Sequence, residues 1–75
     1  MNMQTPNTIE KVAKEHSKET GYRASIIDGH LKAIINKTNA GWSARKIAGW
    51  VEEFFPGTPY TTVAMVSRAQ RDLGF

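Results

Sequence analysis

Apolar side chains recur along this chain at the spacing of an α-helix, and no stretch alternates with the period of two that marks a strand. We therefore predict an all-α protein. The clearest stripe predicts a helix from about Ser25 to Thr38, in which Ser25 and Asp28 approximate a capping box. Asn39 or Gly41 is expected to end this helix in the left-handed conformation. Its expected buried face consists of Ile27, Leu31, Ile34, Ile35 and Thr38.

A weaker stripe precedes that helix, between Thr8 and Thr20. Thr8 is a suitable N-cap and Gly21 a suitable terminator. We interpret residues 1–21 as an N-terminal arm, weakly helical or flexible, which either docks on the rest of the chain or stays loosely ordered. The apolar side of this segment is Ile9, Val12, Ala13 and His16.

A third helix is predicted to begin after Ser43, with Trp42 and Ile47 at the spacing of a hydrophobic staple. It should end before Pro56, because the residue before a proline is disfavoured in the α region. Gly49 costs up to ~1 kcal/mol relative to alanine in a helix, and we interpret it as allowing close helix–helix approach. The expected core stripe is Ile47, Ala48, Val51, Phe54 and Phe55.

The closing stretch FPGTPYTTVAMVSRAQRDLGF, residues 55–75, predicts a fourth helix. Thr58 is one candidate cap, with Pro59 at the first helical position, and Thr61 is the other. The short PGTP connection forces the third and fourth helices to cross, so that the second helix covers both. We therefore expect a three-helix core over residues 22–75. The last helix is expected to contribute Val63, Val66 and Leu73 to this core, with Ala69 or Ala64 beside them.

The composition of the chain limits its chemistry. A chain of 75 residues without cysteine is expected to form one domain that lacks disulfides and thiolate metal sites. The start MNMQTPN does not resemble a signal peptide, and no run approaches the ~18 apolar residues of a membrane span, so we expect a soluble cytoplasmic protein. His16 and His30 are far apart, without paired carboxylates or a glycine-rich phosphate loop. We expect no enzyme, no cofactor and no metal.

Positive charge is concentrated in the middle third of the chain. The net charge is +3, but residues 22–50 alone carry five cations against Asp28. Arg45 and Lys46 occupy the first turn of the third helix, where the macrodipole disfavours cations. Two cations beside exposed backbone N–H groups form a phosphate site, although a solvated face without a partner explains them too. The candidate phosphate contacts are Ser43, Arg45, Lys46 and Lys37.

The segment SARKIAGWVEEFFPGTPYTTVAMVSRAQRDLGF, residues 43–75, resembles the helix-turn-helix of small prokaryotic and phage regulators. In that family an xIAxxV helix leads through a turn to a TTVxxxxRxxxxxG recognition helix. The turn here is rich in proline instead of containing a single glycine. The matching positions are Ile47, Ala48 and Val51 in the first helix and Thr61, Thr62, Val63, Arg68 and Gly74 in the second.

The resemblance implies a sequence-specific transcription regulator whose last helix lies in the major groove of double-stranded DNA. Arginine pairs with guanine, and threonine hydrogen-bonds a base or contacts a thymine methyl. Thr61, Thr62 and Arg71 are equally well explained by helix capping and by the helix dipole, whereas the mid-helix position of Arg68 favours base reading. The candidate readers are Tyr60, Thr61, Thr62, Met65, Arg68 and Arg71, with Gln70 as a further candidate.

Other residues favour a protein partner. Glu52, Glu53 and Asp72 lie near the expected DNA contact and repel phosphate, and the aromatic side chains exceed what a three-helix core can bury. Exposed aromatic patches are typical of protein interfaces. The alternative hypothesis is a small phage-type inhibitor or adaptor that binds a host protein such as RNA polymerase, or a homodimer. The candidate interface residues are Trp50 and Phe75.

Overall fold

The computed structural model describes residues 8–75, which form four α-helices and one 3₁₀ turn. This part of the chain contains no strand, so the all-α prediction is confirmed. None of its helices combines the length and the apolar character needed to cross a membrane. The helices are α1, Ile9–Thr20; α2, Ala24–Asn39; α3, Ala44–Phe54; and α4, Val63–Asp72; the 3₁₀ turn is Pro59–Thr61, between α3 and α4.

Hydroxyl side chains cap three of the four helices. The side-chain oxygens of Thr8, Ser43 and Thr62 each accept the backbone N–H of the residue three positions on, at 3.1–3.2 Å. Helix α2 differs, because Arg23 stands at its N-cap and makes no side-chain cap. Ser25 lies inside α2, and the predicted capping box is therefore wrong.

Glycines in the left-handed conformation follow α1 and α2. Gly21 has φ +83° and donates its N–H to Ser17 at 2.9 Å. Gly41 has φ +91°, and the next N–H, of Trp42, reaches back to the carbonyl of Lys37 at 3.0 Å. This is the bonding of a Schellman motif, and it holds Trp42 close to the end of α2.

Helix α4 begins later than either predicted cap. Thr58 precedes only the 3₁₀ turn, in which Tyr60 leaves the helical region with φ −96° and ψ 34°. The chain becomes extended at Thr62, which then caps α4. The delay has a packing cause: the Tyr60 ring is turned into the core and is completely buried.

The core is one cluster to which all four helices and the 3₁₀ turn contribute. Helix α1 supplies Val12 and Ala13 to it and buries His16, so α1 packs against the rest of the described fold. Residues 1–7 lie outside the described residues. The apolar members of the cluster are Val12, Ala13, Ile27, Leu31, Ile34, Ile47, Ala48, Val51, Tyr60, Val66, Ala69 and Leu73.

Several predicted core positions are exposed. Phe54 is 59% exposed and Phe55 43%, because α3 ends there and Phe55 has already left the helical conformation. Val63 is 43% exposed, since it is the first residue of α4 and precedes the buried stripe. Gly49 is exposed, and no described atom comes within 4 Å of where its Cβ would stand. Gly49 therefore permits no close helix approach within the chain.

Candidate nucleic-acid and protein interfaces

Tyr60 lies at the centre of a buried polar network and is not a surface residue. Its hydroxyl is 2.6 Å from Nδ1 of His16, whose Nε2 is 2.9 Å from Oδ2 of Asp72. A carboxylate only accepts, so Nε2 of His16 carries a proton, and in a neutral ring Nδ1 accepts from the tyrosine. Tyr60 and His16 are 0% and 1% exposed. A side chain buried in this way has no free edge for a DNA base, and we assign Tyr60 a role in the fold instead of base reading.

The ionisation of this network follows from its environment. Burial raises the pKa of Tyr60 far above its usual value, so the hydroxyl keeps its proton. The hydrogen bond from His16 holds the pKa of Asp72 below its usual value. The network therefore joins a neutral phenol to a carboxylate through the His16 ring, and it is closed off from solvent at the tyrosine end.

Arg68 connects α4 to α1. Its Nη2 donates to Oε2 of Glu19 at 2.6 Å, and its Nε lies 3.6 Å from Oδ2 of Asp72. The hydrogen bond from Arg68 lowers the pKa of Glu19. Arg68 thus has an intramolecular role, and its mid-helix position is no longer an argument for base reading.

The other predicted readers also have roles within the fold, with one exception. Thr62 caps α4, Met65 packs half-buried against the core, and Thr61 is half-buried in the 3₁₀ turn. Gln70 donates from Nε2 to Oγ1 of Thr38 on α2 at 2.9 Å. Arg71 is the predicted reader on α4 that is exposed and makes no such contact to α1 or α2 in the described residues.

The solvent-exposed side of α4, which we call its outward face, carries other residues than most of the predicted base readers. Its exposed positions after the cap fall at i, i+1, i+4 and i+8, which is one side of a helix. These side chains are small and uncharged except for one arginine, and no carboxylate lies among them. In the sequence this face is recognisable as the side of the helix opposite the core positions Val66, Ala69 and Leu73, and not by residue types that read bases. The outward face consists of Val63, Ala64, Ser67 and Arg71.

The predicted phosphate contacts lie around the start of α3. Lys37 and Lys46 surround the Trp42 ring, and Arg45 lies on another side of the helix. Arg45 and Lys46 are exposed, and the first turn of α3 contains no acidic residue. Lys46 Nζ lies 4.3 Å from the ring centroid of Trp42, and Lys37 Nζ lies 4.6 Å from the same ring. Arg45 is displaced by about 100° around the helix from Lys46. Ser43 accepts the Lys46 N–H at 3.1 Å, so this amide is already used in capping.

Several aromatic side chains lie along a groove between α2 and α3. Trp50 lies half-buried along it, with ring centroids 5.5 Å from Phe55 and 6.0 Å from Phe54, and with Lys37 Nζ at 4.9 Å. His30 meets Phe55 edge-on at 5.3 Å, and burial lowers the pKa of His30. We call this feature the aromatic groove, lined by Ile26, Gly29, His30, Ala33, Trp50 and Phe55 and continued by Lys32, Asn36 and Lys37.

The two predicted interface residues, Trp50 and Phe75, are not brought together in this groove. Phe75 is 55% exposed at the end of the chain and is not among the residues that line it. Within residues 8–75, no three side chains of the metal-binding types are grouped so that they could hold an ion. Comparison with protein-family models, curated proteins and solved structures found no significant match.

Proposed function

We propose that this protein binds double-stranded DNA through a helix-turn-helix formed by α3 and α4. The observation that carries the proposal is the outward face of α4, where small uncharged side chains stand beside one exposed arginine. The major groove of B-DNA is wide enough to admit an α-helix, and small side chains beside an arginine let the helix backbone come close to the base edges. The resemblance of residues 43–75 to helix-turn-helix regulators supports the same assignment.

The residues proposed to contact the bases differ from those expected from the sequence, because they are taken from the outward face of α4. Arg71 pairs with guanine, Ser67 hydrogen-bonds a base edge, and Ala64 with Val63 contacts thymine methyl groups. Thr62 and Met65 lie at the start of α4 and support its orientation.

The start of α3 supplies the backbone contacts. Arg45 is exposed beside the first N–H groups of α3. The first N–H groups of any α-helix have no carbonyl acceptor within the helix, so they can bind an anion. An anion there relieves the unfavourable placement of a cation at a helix N-terminus. Lys37 and Lys46 add positive potential from the Trp42 side. Such contacts position a domain on DNA and carry no sequence information.

The test is equilibrium binding to fluorescent duplex DNA, first with random sequence at low salt and then with a sequence selected from a random library. We expect binding that weakens steeply with salt, with a log–log slope of about −0.9 per phosphate contacted. A selected sequence should bind tighter than random DNA. Absence of binding to any duplex at low salt would contradict the proposal.

The alternative expectation was an adaptor for a host protein such as RNA polymerase. The aromatic groove supports a protein contact, because Phe55 and Ile26, which line it, and Phe54, whose ring lies beside that of Trp50, are each more than two-fifths exposed. No feature of the groove identifies a polymerase as the occupant. Capture from lysate, with and without nuclease, separates a direct protein partner from one held through DNA.

A further inference from the structure

The aromatic groove has two chemically different ends. Helices α2 and α3 run in opposite directions across it, since His30 in the first half of α2 contacts Phe55 after α3, while Lys37 near the end of α2 contacts Trp50. One end is therefore apolar and carries Ile26, His30 and the two phenylalanines. The other end carries the ammonium groups of Lys37 and Lys46 around Trp42.

The exposed side of α3 along the groove also has ends of different charge. Lys46, Trp50 and Glu53 fall at i, i+4 and i+7 and so share one side of this helix. Lys46 and Glu53 are both exposed, at opposite ends of that side, with Trp50 between them. The last carbonyls of α3 add partial negative charge at the Glu53 end.

A surface with opposite charge at its two ends is complementary to a copy of itself turned through 180°. A two-fold axis near Trp50 places Glu53 against the partner's Lys46. It also places the exposed phenylalanines against the partner's cationic end, where ammonium groups can lie over the phenylalanine rings. Each contact occurs twice, as in any isologous interface. We propose that the aromatic groove is the surface through which two copies of this chain form a homodimer. This inference does not depend on DNA binding.

The shape of the groove lets a second copy of the chain come close to α2. Gly29 lines it and is exposed, and an added Cβ there would meet nothing within 4 Å apart from its chain neighbours and its own helix backbone. Ala33, one turn further along α2, also lines it. From Ser25 to Lys37 the α2 wall is about 18 Å long at 1.5 Å per residue, which matches three turns of an opposing helix. The exposed rings on the rim then bury against the partner.

The first experiment is sedimentation velocity of the full chain without DNA, from about 10 µM to about 1 mM. We expect a reversible monomer–dimer equilibrium in this range. Gly29→Gln puts a good helix former into the groove at a position with room for a Cβ, and it should weaken dimerisation by about tenfold or more. Ala64→Gln is the control, because Ala64 is also a small, exposed helical residue, it lies on α4 outside the groove lining, and this assay contains no DNA. It should leave dimerisation unchanged.

A charge exchange tests the two-fold arrangement itself. Lys46→Glu and Glu53→Lys should each weaken dimerisation by about fivefold, and the double variant should restore it, because both symmetric pairs form again with reversed sign. Each single change improves the local helix dipole, so loss of folding does not explain weaker association. A backbone-amide NMR dilution series places the interface directly.

Three results would overturn this inference: a wild-type chain that is monomeric at about 1 mM, equal effects of Gly29→Gln and Ala64→Gln, or dilution shifts confined to α4 and α1. The first would leave the groove to a different protein. None of these results bears on duplex DNA binding, which is measured separately.

Discussion

The hydroxyl of Tyr60 lies 2.6 Å from Nδ1 of His16 and joins the 3₁₀ turn to α1 across the core. Both side chains are almost completely buried. Tyr60→Phe keeps the ring but leaves a buried ring nitrogen without its partner. We expect the free energy of unfolding to fall by about 1–3 kcal/mol, with helicity retained, as measured by urea unfolding followed by circular dichroism.

Tyr22→Phe is the control for that change. Tyr22 is half-buried, and its bonds with Ser17 and Thr20 are made by backbone atoms, so its hydroxyl can be removed without breaking them. An equal loss of stability in both variants would contradict a specific role for the His16–Tyr60 bond.

The carboxyl of Asp72 makes stability depend on pH in the acid range. Its pKa in the folded chain is held below the ordinary 3.8, first by the hydrogen bond from His16. The folded state therefore binds this proton less readily than the unfolded state does. The resulting stability is fully present above pH 3.8 and is lost as the pH falls through the folded pKa. We expect Asp72→Asn to be less stable than wild type at pH 7, with the difference shrinking below about pH 4 in urea titrations. A difference that does not change with pH would show that this carboxylate contributes by packing alone.

Two apolar residues of α3 should respond very differently to truncation. Ile47 is completely buried, so Ile47→Ala should cost about 2–5 kcal/mol of unfolding free energy. Phe54 is 59% exposed, so Phe54→Ala should cost less than about 1 kcal/mol when unfolding is measured at low protein concentration. A large cost at Phe54 would mean that its side chain is buried in solution.

Two arginines of α4 should differ in DNA binding. Arg71→Ala should lower affinity for a selected sequence by about 10- to 100-fold and affinity for random DNA only slightly. Arg68→Ala should leave the sequence preference unchanged, because Arg68 is held by Glu19 and Asp72. Competition binding with the selected and random duplexes measures both. The reverse outcome would return base reading to Arg68.

The start of α3 should contribute equally to all DNA sequences. Arg45→Ala is expected to weaken binding to selected and random duplexes by the same factor and to reduce the salt slope by about one. Lys32→Ala is a suitable control, since Lys32 is an exposed cation already paired with Asp28 at 3.2 Å. A loss confined to one sequence would argue against a phosphate contact at Arg45.

Features determined by a few neighbouring residues were predictable from the sequence. The caps Thr8 and Ser43 and the terminator Gly21 are recognisable because each acts on atoms no more than four residues away. The apolar spacing of α2 likewise predicted the buried Ile27 and Leu31. Such signals were sufficient for the all-α class and for three of the four helix starts to within two residues.

The candidate sites were less predictable because long-range pairs determine them. Tyr60 looked like a reader at the start of a helix, but its partner His16 is 44 residues away. Arg68 looked free of any structural role, but it pairs with Glu19, 49 residues away. The cationic cluster was visible as a charge excess, whereas its arrangement around Trp42 required the fold.

The docking of α1 sets the smallest piece of this protein that can be studied in isolation. A fragment that starts at residue 22, as the helix-turn-helix alone would suggest, lacks His16 and Glu19, which accept hydrogen bonds from the Tyr60 hydroxyl and the Arg68 guanidinium. It also uncovers the apolar side of α2 that Val12 and Ala13 shield. Expression tags and fusions are therefore better placed before Thr8 than at the glycine after α1.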